Sequence, residues 1–386
     1  VAKSLPKPKV IADTEPPSGM PPVRLSLTLD EVVGQGRAID LLRGALASGR
    51  VHHAWIFGGP PGVGKFTAAL GFAAMLLDPT VAPDLSGRLA PDPESRVQRL
   101  LREGAHPDLH VITKELAAYS RNERVRDAKQ RAIPIEVVRE FLIEPAGRTR
   151  VLPGESRAGK VFIIDEAELL RPDAQDTLLK TLEEPPTGTV IILVTASEDR
   201  LSPTIRSRCQ RVGFVPLDDA ALGRWIDANV RRDGRPLGAD ERAWLVRFAG
   251  GSPGWAAAAA DHALYTWDAA LGPLLAEARA GRLSFSLGSE MARLVQERAE
   301  AWVKANPEAS KEAANVLWAR RLFAYLAEQE RLLLRDAAAR GAGPTLEARL
   351  RAIELVEAAE RQVAANVNAG LVMENLAAQM TGAAAT

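Results

Sequence analysis

The chain has 386 residues, 46% apolar and 25% charged, which is ordinary for a water-soluble globular protein and too long for one ordinary domain. Lysine plus arginine equals aspartate plus glutamate at 49 each, so the chain lacks the cationic excess that grips nucleic-acid phosphates unaided, and only a local basic patch is left open. A single cysteine, Cys209, excludes a disulfide framework and a four-cysteine zinc site and points to a reducing cytoplasm.

Residues 1–25 carry Pro6, Pro8, Pro16, Pro17, Pro21 and Pro22 and no apolar core of a signal peptide, so a disordered proline-rich arm is expected. No apolar run approaches about 18 residues, so no membrane span is expected. Order is expected from near Leu27. Ile39 to Leu46 has helical spacing, and Gly49 suits the helix end. Ala54 to Phe57 is a short apolar run, followed by Gly58-Gly59-Pro60-Pro61-Gly62-Val63-Gly64-Lys65-Phe66-Thr67 and an apolar helix to Leu77.

Strand, glycine loop and helix occur in the order a phosphate-binding loop requires. Gly59, Gly62 and Gly64 let backbone N–H groups converge on phosphate oxygens, the helix presents its positive end, and Lys65 adds a point charge. One position departs from the pattern. Phe66 stands where a Ser or Thr hydroxyl would ligate magnesium, and Thr67, one residue later, points about 100° away on a helix.

From Asp78 to about Pro107 the pattern weakens into a Pro-, Asp- and Arg-rich insertion without cysteines. Leu109 to Thr113 reads as a strand, Lys114 to Arg131 as a charged, mobile excursion, and Ile135 to Leu142 as a helix. Lys160 to Glu166 is an apolar strand ending in Asp165 and Glu166, at the sheet edge where open α/β proteins bind ligands. There Asp165 would hold magnesium and Glu166 would orient or deprotonate water. Ala167 to Leu182 reads as helix and Val190 to Thr195 as a core strand. Thr195 and Ser197 suit either sensing a terminal phosphate or capping a loop. Ser207-Arg208-Cys209 follows, an arginine segment that reads either as a surface ion-pair former or as a donor to a neighbouring site.

Alternation of strands and helices from about 50 to 215 gives an α/β P-loop domain with a parallel sheet. After Pro216 the strands stop. The expected organisation is therefore an arm (1–25), the α/β domain (26–215), a small helical lid (216–262) and an all-α domain (263–386). Trp225, Trp244 and Trp255 are expected to pack the lid helices, His52 and His53 to be linker residues, and Cys209 to be a small buried filler.

Several of these segments together resemble the clamp-loader subunits of the AAA+ family, most closely the delta-prime type of bacterial DNA polymerase III. They are Val33-Gly34-Gln35, His52-His53-Ala54, the glycine loop, Asp165-Glu166-Ala167, Leu179-Lys180-Thr181-Leu182-Glu183-Glu184-Pro185-Pro186 and Ser207-Arg208-Cys209. Asn366-Val367-Asn368-Ala369, with Leu371 and Glu374-Asn375-Leu376, resembles the closing helix of the family's collar domain. The resemblance covers about 26 to 380.

The resemblance implies a rigid stator that lends Arg208 in trans to a neighbour's ATP. It implies motor subunits (tau or gamma) and delta as partners, and through them the sliding clamp and primed DNA. It also implies ATP with magnesium as the ligand, with binding here weak or vestigial. Two departures bear on this chain's own activity: Phe66, and Gly254, which takes the place of a phosphate-contacting arginine after Gly251-Ser252. Negligible ATP hydrolysis is therefore expected. The alternative is an active ATPase subunit of the same loader, with Glu166 as base and Thr67 or water replacing the lost hydroxyl ligand at the nucleotide site. A small-molecule P-loop kinase leaves the helical carboxyl-terminal third unexplained.

Overall fold

The computed structural model describes residues 28–383 apart from 85–86, 127–131, 153, 233, 283–285, 306–309, 342 and 366. The arm expected at 1–25, residues 127–131 of the charged excursion, and Asn366 of the closing motif lie outside the described residues. The described chain divides into two compact units. One runs to Trp225 and takes in Gly251–Gly254; the other comprises Ile226–Gly250 and the chain from Trp255 onward.

The first unit is built on helix α1 (Gly36–Ala47), strand β1 (Ala54–Gly58) and helix α2 (Lys65–Leu77). The insertion forms a small antiparallel pair, β2 (Ala82–Pro83) and β3 (Leu89–Ala90), and then α3 (Arg96–Arg102). Strand β4 (Leu109–Ile112) precedes a 3-10 turn at Lys114–Tyr119 and the short α4 (Glu123–Arg126). After α5 (Ile135–Val138), a π turn at Arg139–Ile143 and α6 (Glu144–Ala146) come β5 (Lys160–Ile164), α7 (Pro172–Glu183), β6 (Thr189–Thr195), α8 (Pro203–Arg208) and β7 (Gln210–Gly213).

Five of these strands form one parallel sheet in the order β4-β5-β6-β1-β7. Its central strands are buried from end to end, as continuous apolar runs in a doubly covered parallel sheet should be. The period of two sorts the side chains between two cores. Trp55, Phe57, Val161, Ile163 and Ile192 meet α1 and α2 on one face. Ile56, Phe162, Ile164, Ile191 and Leu193 meet α5, α7 and α8 on the other. The α/β P-loop architecture with a parallel sheet is therefore present.

Several elements differ from the sequence expectation. The strand expected over Lys160 to Glu166 stops at Ile164, so Asp165 and Glu166 follow it rather than end it, and the excursion after Ile112 holds a 3-10 turn and a short helix. The helix expected over Ala167 to Leu182 is a 3-10 turn at Ala167–Leu169 and then a separate α7. Pro172 is the cause: it disfavours helix at Arg171, which is extended (ψ 154), and starts a new helix at its first position. The helix expected to end at Leu142 continues through a π turn to Ala146.

Beyond β7 the described elements are helical: α9 (Asp219–Asn229), α10 (Ala239–Ala249), α11 (Pro253–Asp261), α12 (Leu264–Arg279), α13 (Leu287–Ala305), α14 (Lys311–Arg340), α15 (Gly343–Ala364) and α16 (Ala369–Ala383). Asp218 starts α9 by accepting the Ala221 N–H at 2.6 Å. In the second unit Trp244 stacks on Phe248 at 4.6 Å, and Trp255 meets Phe248 edge-on at 6.4 Å. The fully buried Glu330 of α14 binds Arg279 of α12 and Arg349 of α15. Gly288 of α13 lets α16 approach closely, since a Cβ there would stand 2.7 Å from Glu374 Cα. Among the described residues no helix is long and apolar enough to cross a membrane.

Candidate nucleotide site and arginine edge

The glycine loop leaves β1 at the carboxyl edge of the sheet. Gly59, Gly62 and Gly64 have φ of 149°, 72° and 98°, conformations that favour glycine. Gly59 also needs to lack a Cβ, because one would stand 2.3 Å from the Phe214 carbonyl oxygen. Its N–H donates to the Thr195 carbonyl at 3.3 Å, which ties the loop to the end of β6. Gln35 pins the loop from the other side: its buried amide donates to Val63 O and Val215 O, and accepts the Val215 N–H.

Lys65 is buried, and its ammonium donates to Gly59 O and Pro60 O, each at 2.6 Å. Burial lowers its pKa to about 8, against the opposing pull of the Glu168 and Asp165 charges. Asp165 follows β5 directly. Burial, and then the neighbouring Glu166 charge, raise its carboxyl pKa to about 7. The structure thus gathers Gly59, Gly62, Gly64, Lys65, Asp165 and Thr195 at one edge of the sheet.

The side chains expected to complete this site have surroundings of their own. Glu166 stands in the left-handed region (φ 49°), and its carboxylate pairs with Lys114 Nζ at 2.8 Å. Phe66 packs against the core cluster that includes Phe57 and Phe72, an apolar side chain taking apolar company. Thr67 is the third residue of α2 and partly buried. The Thr195 hydroxyl accepts the Ser197 N–H at 3.0 Å, a loop-capping contact. The loop amides and Lys65 suit a phosphate. Magnesium would find one carboxylate, Asp165, but no hydroxyl at position 66, where Phe66 stands. Among the described residues no group of three or more His, Cys, Asp or Glu side chains could hold a metal ion.

Sequence reasoning missed three charged neighbours. Lys114 sits just past β4 in a segment that reads only as charged excursion. Glu168, in the turn after Asp165, accepts the Ala196 N–H at 3.3 Å and acts electrostatically on Lys65. Glu198 lies so close to β1 that a Cβ on Gly58 would meet its carboxylate at 2.0 Å.

The Gly251–Gly254 turn belongs to the same compact unit as the loop. Ser252 Oγ donates to Pro61 O at 3.1 Å, and the Gly254 N–H donates to Gly62 O at 2.9 Å. Gly254 is therefore more than a missing arginine: its lack of a side chain permits this backbone contact.

Arg208 lies at the opposite edge. It ends α8, two residues before β7, whose Gln210 pairs with Trp55 at the start of β1, while Gly213 pairs with Gly58 at its end. About 10 Å of parallel strand separates those two levels, so Arg208 and Lys65 stand at opposite rims of one sheet. Arg208 shares a cleft of about 530 Å³ with His52, His53, Glu183, Ser207 and Cys209. Burial raises the Cys209 thiol pKa to about 12, so it is no nucleophile at neutral pH. His52 and His53 stack at 4.4 Å and bind the Ala54 and Leu182 carbonyls, as linker residues would.

Residues 34–218 match the family described as DNA polymerase III, delta subunit. A DNA polymerase III subunit delta' of Bacillus subtilis is 32% identical over 197 residues, covering 51% of this chain and 52% of that protein. The subunit delta' of Pseudomonas aeruginosa is 34% identical over 202 residues, covering 52% and 53%. A gamma/tau subunit of Mycobacterium bovis is 30% identical over 230 residues, covering 58% of this chain and 35% of that protein. The chain thus spans about half the length of the delta' relatives it matches. A solved structure of a gamma subunit-related protein from Thermotoga maritima covers 88% of this chain at a TM-score of 0.39 and 17% identity.

Proposed function

We propose, on the premise of that family match, that this chain is a delta-prime-type subunit of a DNA polymerase III clamp loader. In this reading it is a stator: it supplies Arg208 to the ATP of a neighbouring motor subunit and hydrolyses little ATP itself. Motor subunits of the tau or gamma type and delta would be its partners. Through the assembled ring it would help place the sliding clamp on primed DNA, and its carboxyl-terminal helices would join the collar.

The observation that carries the reading is the separation of Arg208 from Lys65 at opposite rims of one sheet. A guanidinium at the far rim has no use for this chain's own phosphates, but it suits a site presented by a neighbour. Its planar, permanently charged fork matches an oxygen whose charge grows in the transition state. Such an arginine contributes on the order of 10³–10⁵ in rate where it acts.

The test is a loader reconstituted with R208A or K65A in this chain, assayed for primed-DNA-stimulated ATP turnover. R208A should assemble and lose most of the stimulated turnover, while K65A should do much less. The reverse pattern would favour the second reading, an active ATPase, which has in its support the gathering of Lys65, Asp165 and Thr195 at one edge. The Lys114–Glu166 pair weighs against it, because it occupies the carboxylate that would serve as base.

A further inference from the structure

We propose that Glu183 is the positioning residue for Arg208, holding its guanidinium ready at the rim of the cleft; the proposal rests on the trans-acting reading of Arg208. The two side chains meet at 2.7 Å, Arg208 Nη2 to Glu183 Oε1. Arg208 Nη1 donates to Thr204 O at 3.0 Å and reaches Ser207 Oγ at 3.5 Å. The guanidinium is thereby held on two sides, by its own helix and by the end of α7, and both charged residues line the same cleft.

Glu183 is itself well anchored. Leu182, just before it, is buried, and His53 Nε2 donates to the Leu182 carbonyl at 2.9 Å. Glu184 closes the helix by donating its N–H to Lys180 O at 3.0 Å, and Pro185-Pro186 prevents continuation. The main chain beneath Glu183 is fixed in this way, which limits the positions from which its carboxylate can meet Arg208.

Helix stability does not account for a carboxylate here. Glu183 is the last residue of α7, at the negative end of the helix dipole, where an acid is unfavourable and a base preferred. The compensating charge is Arg208. Both partners are partly exposed, with side chains 35% and 49% accessible, and an ion pair of that kind adds little to folding. It is weak enough for a phosphate oxygen to replace one of its hydrogen bonds. Its effect is to restrict a long side chain that otherwise has many rotamers to lose on engaging a ligand.

The experiment uses the full chain assembled with its motor and delta subunits, with steady-state ATP turnover measured on primed DNA. Three variants are compared: E183A, E183Q and R208A. E183A should lower kcat about fivefold, the effect of leaving one rotamer-rich side chain unrestrained, with KM for ATP unchanged. E183Q keeps an oxygen that accepts from Arg208 and should return turnover to within about twofold of the parent. A purely structural role would lower assembly or shift KM in both variants alike. If R208A turns over like the parent, the trans-acting reading fails and this proposal with it. If R208A is inactive but E183A matches or exceeds the parent, or E183Q is as impaired as E183A, positioning by Glu183 is wrong and the trans-acting reading stands.

Discussion

Gly254 donates its backbone N–H to the carbonyl of Gly62, and a Cβ at Gly254 would stand 2.8 Å from the Gly62 Cα. Backbone thus meets backbone at the phosphate loop, where the family resemblance leads one to look for an arginine side chain. The obstructing atoms belong to a main chain pinned by Gln35 and Thr195, so they cannot swing aside as the tip of a side chain would. Gly254→Ala should therefore lower stability by about 1–3 kcal/mol, as overpacking does, with a lower Tm in thermal melts. An unchanged Tm would show that the contact is loose.

The alternation of apolar strands and helices, and the glycine spacing, made the sheet and its loop legible in the sequence. The location of Arg208 was legible only in part. Its nearness to a core strand is visible in the chain, but which rim it occupies follows from β7 pairing in parallel with β1, a long-range fact that no local pattern carries. Glu166 illustrates a different limit. Its place just past an apolar strand is visible in the chain, yet its partner Lys114 is 52 residues away, in a segment without periodicity. The split between the Ala167 turn and α7 was readable from Pro172, but the apolar spacing through Leu178 and Leu182 outweighed it.

Anion binding by the loop should depend on pH. Lys65 gains its proton as pH falls through about 8, and Asp165 loses its charge as pH falls through about 7. Both changes make the site more positive, so affinity for a fluorescent ATP analogue should rise from pH 9 to pH 6.5. K65A should remove the limb near pH 8 and leave the lower one. A flat profile across this range would mean that neither group faces the ligand.

The isolated chain should hydrolyse ATP no faster than background. Phe66 offers no hydroxyl to a metal, and the Glu166 carboxylate is held by Lys114. Burial raises the Glu166 pKa, while the Lys114 hydrogen bond and charge oppose that rise. K114A removes the restraint but not the defect at position 66, so turnover should stay at background in K114A and in E166Q alike. Magnesium-dependent turnover in the parent, lost in E166Q, would establish the active-ATPase reading.

The insertion that interrupts the α/β pattern is organised by one carboxylate. Asp78 is fully buried and accepts from Thr80 N–H at 2.9 Å, Thr80 Oγ1 at 2.7 Å, Ser95 Oγ at 2.6 Å and Gln98 Nε2 at 3.0 Å. Burial alone would raise its pKa, but the hydrogen bonds from Ser95, Thr80 and Gln98 outweigh it and hold the carboxyl below its usual value. A folded-state pKa below the unfolded one gives stability that is present above the unfolded value and lost as pH falls through the folded one. The contribution should therefore be complete at neutral pH and vanish only on strong acidification. Asp78→Ala strands these donors beside the end of α2 and should cost on the order of 3 kcal/mol, the scale for breaking a buried charged network. Urea unfolding at pH 7 and again well below the usual carboxylate range checks both statements. The gap between parent and D78A should be wide at pH 7 and narrow in acid. A gap equally wide at both would mean that Asp78 acts through its shape rather than its charge.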